Sequence, residues 1–205
     1  MILLDIRKAF DLVNHEILLE KRKIYNCTST SVKWFTSYLQ DRKQATAFRG
    51  TISESKPVSV GVPQGSILGP LMFILFMNDL PLASPGSNLD MYADDTTMTA
   101  TGGTTVELEQ KLNSQLKPVH KWCSQNKMVI NSEKTKAMLL TTAQKRSRLT
   151  PSQCQLDIKL GESKLGVVKS DKLLGVIVDD DLTWAQHIQK VLRTANVHYS
   201  TTAMH

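Results

Sequence analysis

Apolar and polar residues recur with different periods along the first third of the chain. Residues 1–4 form a short apolar run that predicts a buried strand. Residues 15–25 and 31–39 place apolar side chains at helical spacing and predict two helices. Residues 44–60 predict a β-ribbon that turns near Gly50. The predicted order is therefore strand, two helices and ribbon.

The longest apolar run, residues 67–77, follows the ribbon. It contains Gly69 and is shorter than the ~20 residues needed to cross a bilayer, so it predicts a buried core helix. Farther on, Thr104 and Glu107 have the spacing of a capping box and mark the start of an amphipathic helix. The predicted apolar face of that helix consists of Leu108, Leu112, Leu116, Val119 and Trp122.

The last third is rich in predicted strands. Residues 155–160 alternate between polar and apolar side chains, and residues 173–178 form an apolar run typical of a buried strand. A helix is predicted over 185–192, after which the apolar pattern fades. No repeat or flexible linker divides the chain, so we expect one α+β domain over 1–193 and a diverged or disordered tail over 194–205.

Composition and charge narrow the expected partner and compartment. The 205 residues carry a formal net charge of +6, which favours a polyanionic partner. Three widely spaced cysteines indicate neither a disulfide framework nor a zinc cluster, and favour a reducing compartment. The first residues reach Asp5 too soon for a signal peptide. We therefore expect an intracellular protein of the nucleus or cytoplasm, neither secreted nor membrane-bound.

Two adjacent acids, Asp94 and Asp95, lie between two alternating stretches. Neighbouring side chains on a straight strand point to opposite faces, so these acids can serve one site only if a turn re-aims them. The pattern predicts that turn, at the tip of a hairpin. Two carboxylates at one tip repel each other unless a cation lies between them, which makes the tip a candidate metal site. An ordinary Asp-rich turn is the alternative.

The loop Pro63-Gln64-Gly65, directly before the predicted core helix, is a second candidate site. Gly65 would let another molecule approach the backbone closely, and Gln64 offers both a hydrogen-bond donor and an acceptor. The alternative is a plain loop in which Ser66 caps the helix.

Other polar clusters are weaker candidates. Residues 179–181 are three successive aspartates, but their position before a helix favours a capping role over a metal site. His120 and Cys123 lie one turn apart without a second pair of ligands. The basic residues 21–23 are interpreted as a solvated helix face. Those of the polar loop 141–153 are interpreted as solvent contacts, although such a loop could touch phosphates.

Asp5, the Gln64 loop and the double-Asp hairpin need a common explanation. Carboxylates from two different strands could converge on two divalent cations about 3.5–4 Å apart, the arrangement that stabilises the attacking and leaving oxygens in phosphoryl transfer. Mg²⁺ suits such oxygen ligands.

Five segments resemble, in the same order, successive motifs of reverse transcriptases. They are 4–11 (LDIRKAFD), 63–66 (PQGS), 92–95 (YADD), 131–135 (NSEKT) and 173–176 (LLGV). Three segments are similar in sequence to those of the polymerases of non-LTR (LINE-type) retrotransposons. They are Lys8-Ala9-Phe10-Asp11, Gly69-Pro70-Leu71 and Leu182-Thr183-Trp184. The resemblance covers nearly the whole chain. It implies an α+β polymerase palm, in which helices back an antiparallel sheet.

Carried over to this chain, the resemblance implies an RNA-directed DNA polymerase that transfers deoxynucleotides onto a primer 3′-hydroxyl. Asp5 and Asp94 would bind two Mg²⁺ ions, for which Mn²⁺ could substitute, with Asp95 beside them in a supporting role. Phe10 would act as a steric gate against ribonucleotides, because an apolar ring can exclude a 2′-hydroxyl by bulk alone.

The resemblance also implies binding roles for residues farther along the chain. Gln64 and Gly65 would pack near the incoming nucleotide and its template base. Lys134 would contact the triphosphate or donate a proton to the leaving pyrophosphate. Leu174 and Gly175 would lie in the primer grip. The expected partners are an RNA template, a DNA primer and dNTPs, and no oligomeric state is predicted.

We expect the chain to be a palm-centred part of such an enzyme. The family's fingers precede the first motif and its thumb follows the primer grip, so the fingers are expected to be largely missing and the thumb missing. An endonuclease domain is not expected either. A strand at the first residues agrees with a truncated product, because a domain rarely begins inside its own core.

Two other functions stay open at this point. The first is a non-catalytic retrotransposon relic or a nucleic-acid-binding scaffold with a polymerase-like palm; intact Asp5, Asp94 and Asp95 argue against a selected loss of chemistry. The second is another two-metal palm enzyme such as a nucleotidyl cyclase, which the Pro63-Gln64-Gly65 and Leu173-Leu174-Gly175 segments disfavour.

Overall fold

The computed structural model describes residues 1–25, 28–151 and 153–202. The helices are α1 (His15–Ile24), α2 (Ser29–Leu39), α3 (Leu68–Met77), α4 (Leu80–Ala83), α5 (Thr105–Gln125), α6 (Ala143–Arg146) and α7 (Ala185–Thr202), with a 3₁₀ helix over Ala9–Leu12. The strands are β1 (Ile2–Leu4), β2 (Lys43–Gln44), β3 (Ala47–Phe48), β4 (Thr51–Ile52), β5 (Lys56–Pro57), β6 (Asn88–Tyr92), β7 (Asp95–Thr99), β8 (Lys136–Ala137), β9 (Lys159–Leu160), β10 (Ser163–Lys164), β11 (Gly166–Val167), β12 (Ser170–Leu173) and β13 (Val176–Asp179). The predicted α+β class is confirmed.

A five-stranded sheet lies at the centre, in the order β11-β8-β1-β7-β6. The first strand of the chain is its middle strand, because β1 pairs antiparallel with both β7 and β8. Strand β11 runs parallel to β8 at one edge. Because β1 is paired on both sides, the position of Asp5, the residue that follows it, is fixed relative to the sheet.

One hydrophobic core joins this sheet to the helices that cover it. Ile2 from β1, Met98 from β7, Phe73 and Phe76 from α3 and Leu116 from α5 are all at most 1% exposed and belong to the same cluster. The buried stripe predicted on α5 is correct for Leu112, Leu116, Val119 and Trp122. Thr104 accepts a hydrogen bond from the Glu107 amide, as predicted, whereas the Glu107 carboxylate accepts from Gly103.

The predicted core helix α3 is buried on one side only. Phe73 and Phe76 face the core, but Leu71 and Ile74 are exposed, as is Ile67 before the helix. A continuous apolar run hides this division, because no position of the helix carries a polar side chain. Within the described ranges, no helix combines the length and apolar character needed to cross a membrane.

The basic residues 21–23 are not the solvated face that the sequence predicts. Lys21 and Arg22 are buried, and only Lys23 is exposed. The Lys21 ammonium donates to the Phe76 carbonyl at 2.7 Å and to Asp79 Oδ1 at 2.6 Å. This cation therefore connects α1 to the end of α3, which the charge of the triplet alone could not indicate.

The strand predicted over 173–178 is wrong. The chain instead forms the antiparallel pair β12 and β13, which turns at Leu174 (φ 48°) and Gly175 (φ 89°). Of the strand predicted over 155–160, only β9 forms, although Leu156, Ile158 and Leu160 are buried in the predicted alternation. Helix α7 continues to Thr202, past its predicted end at residue 192. The division of the chain at residue 193 stays a prediction.

Candidate active site

A cavity of about 430 Å³ opens where the ends of several elements meet. It is lined by residues 5–11, Gln64, Asp94, Asn131 and Lys134. The chain thus brings five of the nine residues proposed from the sequence to one place: Asp5, Phe10, Gln64, Asp94 and Lys134. The other four, Gly65, Asp95, Leu174 and Gly175, do not line it.

The backbone of Asp5 is fixed by the segment that leads into β8. Its amide donates to Thr135 Oγ1 at 3.2 Å, and its carbonyl accepts from the Asn131 amide at 2.8 Å. The next residues continue this pairing, because the Arg7 amide donates to the Val129 carbonyl at 2.8 Å. Asp5 is therefore held at the edge of the cavity while its carboxylate is left for other contacts.

The predicted hairpin around Asp94 is confirmed. Strands β6 and β7 pair in register up to Tyr92 and Asp95, so that Ala93 and Asp94 form the turn. Ala93 has φ 54°, a left-handed conformation that costs a non-glycine residue about 1–2 kcal/mol. The turn separates the two acids: Asp94 lines the cavity, whereas Asp95 begins β7.

The Gln64 loop is held close to the site by two contacts. Gln64 Nε2 donates to Asp11 Oδ1 at 2.8 Å, which ties the loop to the 3₁₀ helix Ala9–Leu12. Ser66 Oγ accepts from the Gly69 amide at 2.9 Å, which supports the predicted capping role of Ser66. A Cβ on Gly69 would lie 2.6 Å from the Pro63 carbonyl oxygen, so only glycine lets the loop and α3 approach this closely.

Phe10 is a rigid wall of the cavity. Its ring stacks on that of Phe73, with ring centroids 4.2 Å apart and planes inclined by 23°. Phe73 is itself buried in the core of α3. The position of the Phe10 ring is therefore set by the core, which leaves it little freedom to give way to a bound molecule.

Asn131, Arg7 and Lys8 also line the cavity and were not assigned a role from the sequence. Asn131 Oδ1 accepts from the amides of Glu133 at 3.2 Å and Lys134 at 3.4 Å, so this side chain shapes the turn that carries Lys134. The signal for Asn131 was its place at the start of the NSEKT segment. Arg7 and Lys8 follow Asp5 directly, and Lys8 has φ 46°.

The cavity combines acids with bases. Asp5 and Asp94 contribute carboxylates, and Arg7, Lys8 and Lys134 contribute cations. Within the described part of the chain, the carboxylates of Asp5, Asp94 and Asp95 make no hydrogen bond or ion pair, whereas Asp11 is bonded to Gln64. Such a mixture suits a polyanion that arrives with a divalent cation, because Mg²⁺ commonly takes one or two carboxylates and completes its shell with water and substrate phosphates.

The described residues contain no group of three or more histidine, cysteine, aspartate or glutamate side chains that could hold a metal alone. Three carboxylates line the cavity, and Asp11 is bonded to Gln64. The other two, Asp5 and Asp94, therefore fit a cation shared with a substrate better than a closed protein site.

The comparison with known families identifies the family of the chain. The sequence profile of the family described as "Reverse transcriptase (RNA-dependent DNA polymerase)" matches residues 1–178, which is most of the chain. The chain belongs to the reverse transcriptase family. The resemblance found in the sequence motifs is thereby confirmed, and the family generally uses divalent metal ions together with template, primer and nucleotide substrates.

The relatives of this reverse transcriptase chain are proteins of non-LTR retrotransposons. It is 30% identical over 200 residues to the probable RNA-directed DNA polymerase from transposon BS of Drosophila melanogaster, covering 94% of this chain and 21% of the relative. It is 29% identical over 195 residues to the RNA-directed DNA polymerase from mobile element jockey of Drosophila melanogaster, covering 92% and 20%. The chain thus spans about a fifth of the length of these relatives.

A shorter alignment reaches another insect. The chain is 29% identical over 137 residues to the retrovirus-related Pol polyprotein from type-1 retrotransposable element R1 of Nasonia vitripennis, covering 64% of this chain and 39% of the relative.

The second acidic cluster of the reverse transcriptase chain is satisfied by its own neighbours. Asp179 accepts from the amides of Thr183 at 2.9 Å and Trp184 at 2.8 Å, and these bonds lower its pKa. Arg146 pairs with Asp180 at 2.7 Å and Asp181 at 2.9 Å. The capping interpretation of this run is therefore supported, and the solvent role predicted for Arg146 is wrong.

The remaining candidates lie away from the cavity. Leu174 and Gly175 form the tip of the β12–β13 hairpin, where Leu174 is exposed. Cys123 is buried, which raises the pKa of its thiol to about 12 and keeps it protonated, so it is a poor metal ligand. The third cysteine, Cys27, lies outside the described residues.

Proposed function

We propose that this chain is the palm of an RNA-directed DNA polymerase from a non-LTR retrotransposon. The observation that carries the proposal is the cavity that gathers Asp5, Phe10, Gln64, Asp94 and Lys134 from four of the five sequence motifs. Membership of the reverse transcriptase family supports it, as does the helix-backed sheet. The substrates are an RNA template, a DNA primer and dNTPs, and the palm domain spans residues 1–193.

Asp5 and Asp94 are the residues that would hold divalent metal, Mg²⁺ by preference and Mn²⁺ as a substitute. Their carboxylates are without protein partners within the described residues, and the two residues lie next to the ends of the paired strands β1 and β7. When bound, the cations supply positive charge for the attacking and leaving oxygens of nucleotidyl transfer. Asp95 takes a supporting role at the start of β7.

The reaction is attack by a primer 3′-hydroxyl on the α-phosphorus of a dNTP. A bond forms between the 3′-oxygen and the α-phosphorus, and the bond from the α-phosphorus to the α,β-bridging oxygen breaks. Pyrophosphate leaves, and the proton of the 3′-hydroxyl passes to solvent water. Lys134 and the neighbouring Arg7 and Lys8 face the triphosphate charge from the cavity wall. Gln64 and Gly65 lie beside the incoming nucleotide, and Leu174 and Gly175 contact the primer.

Primer extension tests the proposal. The 205-residue chain is incubated with a DNA primer annealed to an RNA template, with dNTPs, in Mg²⁺ or in EDTA, and the Asp94→Asn chain provides the blank. Mg²⁺-dependent synthesis above the blank supports a polymerase. Binding of the primer–template with synthesis no greater than the blank would overturn it and favour the non-catalytic nucleic-acid-binding scaffold.

Phe10→Ala is expected to relax the choice of sugar. Removing the ring opens space beside the 2′-position, so the preference for dNTPs over rNTPs should fall on the order of tenfold. The preference is measured as the ratio of the two kcat/KM values in single-nucleotide incorporation. Phe10→Tyr keeps the ring against Phe73 and should keep the preference. An unchanged ratio in Phe10→Ala would show that Phe10 is not the gate.

A further inference from the structure

A second cavity, of about 630 Å³, adjoins the candidate active site. One wall consists of Arg42 and strand β2, which pairs with β5 to form the base of a β-ribbon, and the other consists of Val58 and residues 60–64. Asp11 and Gln64 line both cavities, so the two lie side by side with this hydrogen-bonded pair at their border. A chain molecule that occupies the active site can therefore extend into this second cavity, which we call the ribbon groove.

Arg42 links the ribbon groove to a stack of aromatic rings on α2. Its guanidinium carbon lies 5.1 Å from the centroid of the Tyr38 ring. The Tyr38 and Trp34 rings are nearly parallel, with centroids 5.7 Å apart and planes inclined by 9°. Trp34 is 52% exposed, so about half of its surface is open to a bound molecule. From the groove outward, the surface therefore presents the Arg42 guanidinium, then the Tyr38 ring and then the Trp34 ring.

This order of groups suits single-stranded nucleic acid. Proteins that bind single strands combine cations along the backbone with aromatic side chains on which bases stack, whatever their sequence. The net charge of +6 favours the same kind of partner. The groove combines the cations Arg42 and Lys43 with an apolar wall that includes Val60, so it offers contacts both to phosphates and to the flat faces of bases.

We propose that the ribbon groove and the Trp34–Tyr38 stack hold the single-stranded part of the RNA template next to the active site. This inference rests on the proposed polymerase function, whose template it places. Arg42 and Lys43 would contact phosphates, and a base would stack on the exposed part of Trp34.

The chain contains a matched control for this proposal. Phe48 is 70% exposed, and the guanidinium carbon of Arg49 lies 5.2 Å from its ring centroid. This pair has the same chemistry as Tyr38 and Arg42 but lines neither the groove nor the active site. If an exposed aromatic ring beside an arginine is enough to increase RNA affinity, substitutions at both places should weaken binding equally. If the template follows the groove, only substitutions at the groove should weaken it.

The test measures the affinity of the Asp94→Asn chain for a fluorescein-labelled oligouridylate of twelve nucleotides by anisotropy, so that no synthesis is required. Trp34→Ala is expected to weaken binding on the order of tenfold, because one base loses its stacking partner. Arg42→Gln is expected to reduce the slope of log K against log salt by about 0.7, which is one phosphate contact on a single strand. Phe48→Ala and Arg49→Gln should leave both quantities unchanged.

A second measurement uses tryptophan fluorescence in a chain that keeps Trp34, so that its result does not depend on removing that ring. In a Trp184→Phe chain the remaining tryptophans are Trp34 and Trp122, and Trp122 is only 6% exposed. Oligouridylate should quench the emission of Trp34 as it binds. Absence of quenching would overturn the template path. It would also be overturned if the Phe48→Ala and Arg49→Gln variants lost as much affinity for oligouridylate as the Trp34→Ala and Arg42→Gln variants. Failure of primer extension with this binding intact would overturn only the polymerase.

Discussion

Asp94→Asn is expected to lower the rate of primer extension by about 10²- to 10³-fold or more, the size of effect seen when one preorganised electrostatic group is removed from an active site. Asparagine has nearly the same shape as aspartate but no charge, so the hairpin should fold unchanged while the cavity loses half of its proposed metal-binding charge. The measurement is single-turnover extension by one nucleotide over a range of Mg²⁺ concentrations. Asp5→Asn should behave alike, because both carboxylates line the same cavity.

Asp90→Asn is the matched control for charge. Asp90 lies on β6 of the same hairpin and is exposed, and it does not line the cavity. The same change of charge there should leave extension near the rate of the unaltered chain. If Asp90→Asn and Asp94→Asn reduce the rate equally, the loss reflects the net charge of the surface, and the proposed role of Asp94 is wrong.

Lys21→Ala is expected to have the largest effect on stability, reducing the free energy of unfolding by about 3 kcal/mol. The ammonium bridges the Phe76 carbonyl and Asp79, and lies 4.3 Å from the Trp122 ring centroid and 4.6 Å from that of Phe76. Burial lowers the pKa of Lys21, and the hydrogen bond and charge of Asp79 oppose part of that shift. Its removal would leave both oxygens without their donor and a void beside the rings.

The comparison for Lys21 is Lys23, two positions along the same helix. Lys23 pairs with Glu20 at 2.7 Å, but both side chains are more than half exposed. Lys23→Ala should therefore change stability by less than ~0.5 kcal/mol. Urea denaturation of both variants measures the difference in the free energy of unfolding. An unchanged slope of that free energy against urea concentration confirms that the variants unfold in the same two-state manner. Similar losses in the two variants would mean that Lys21 is not the clamp between α1 and α3.

The hairpin of Asp94 could be predicted because its signals are local. Alternation on either side and a two-residue turn are visible within a dozen residues, and the paired strands formed as predicted. The 173–178 strand was wrong because apolar character alone does not reveal a turn. Leu174 adopts a positive φ next to Gly175, and nothing in an apolar run indicates that a leucine will do so.

Burial of charge was the feature least accessible to sequence reasoning. Lys21, Arg22 and Arg146 all looked like solvent contacts, yet the first two are buried and the third pairs with Asp180 and Asp181, 34 and 35 residues away. A charged residue is satisfied by whichever partner the fold brings to it, and that partner has no fixed separation along the chain.

The sequence by itself determined the chemistry of this protein: the order of its motifs, the double-Asp hairpin and the family to which the chain belongs. Those features depend on residue types at short spacing, where local geometry follows from the backbone. Only the tertiary structure decided that Asp94 and not Asp95 lines the cavity, that Asp11 binds Gln64, and that the ribbon groove lies beside the same site. The physical reason is that these contacts join residues that are far apart in sequence. Which of those residues meet depends on how the whole core packs.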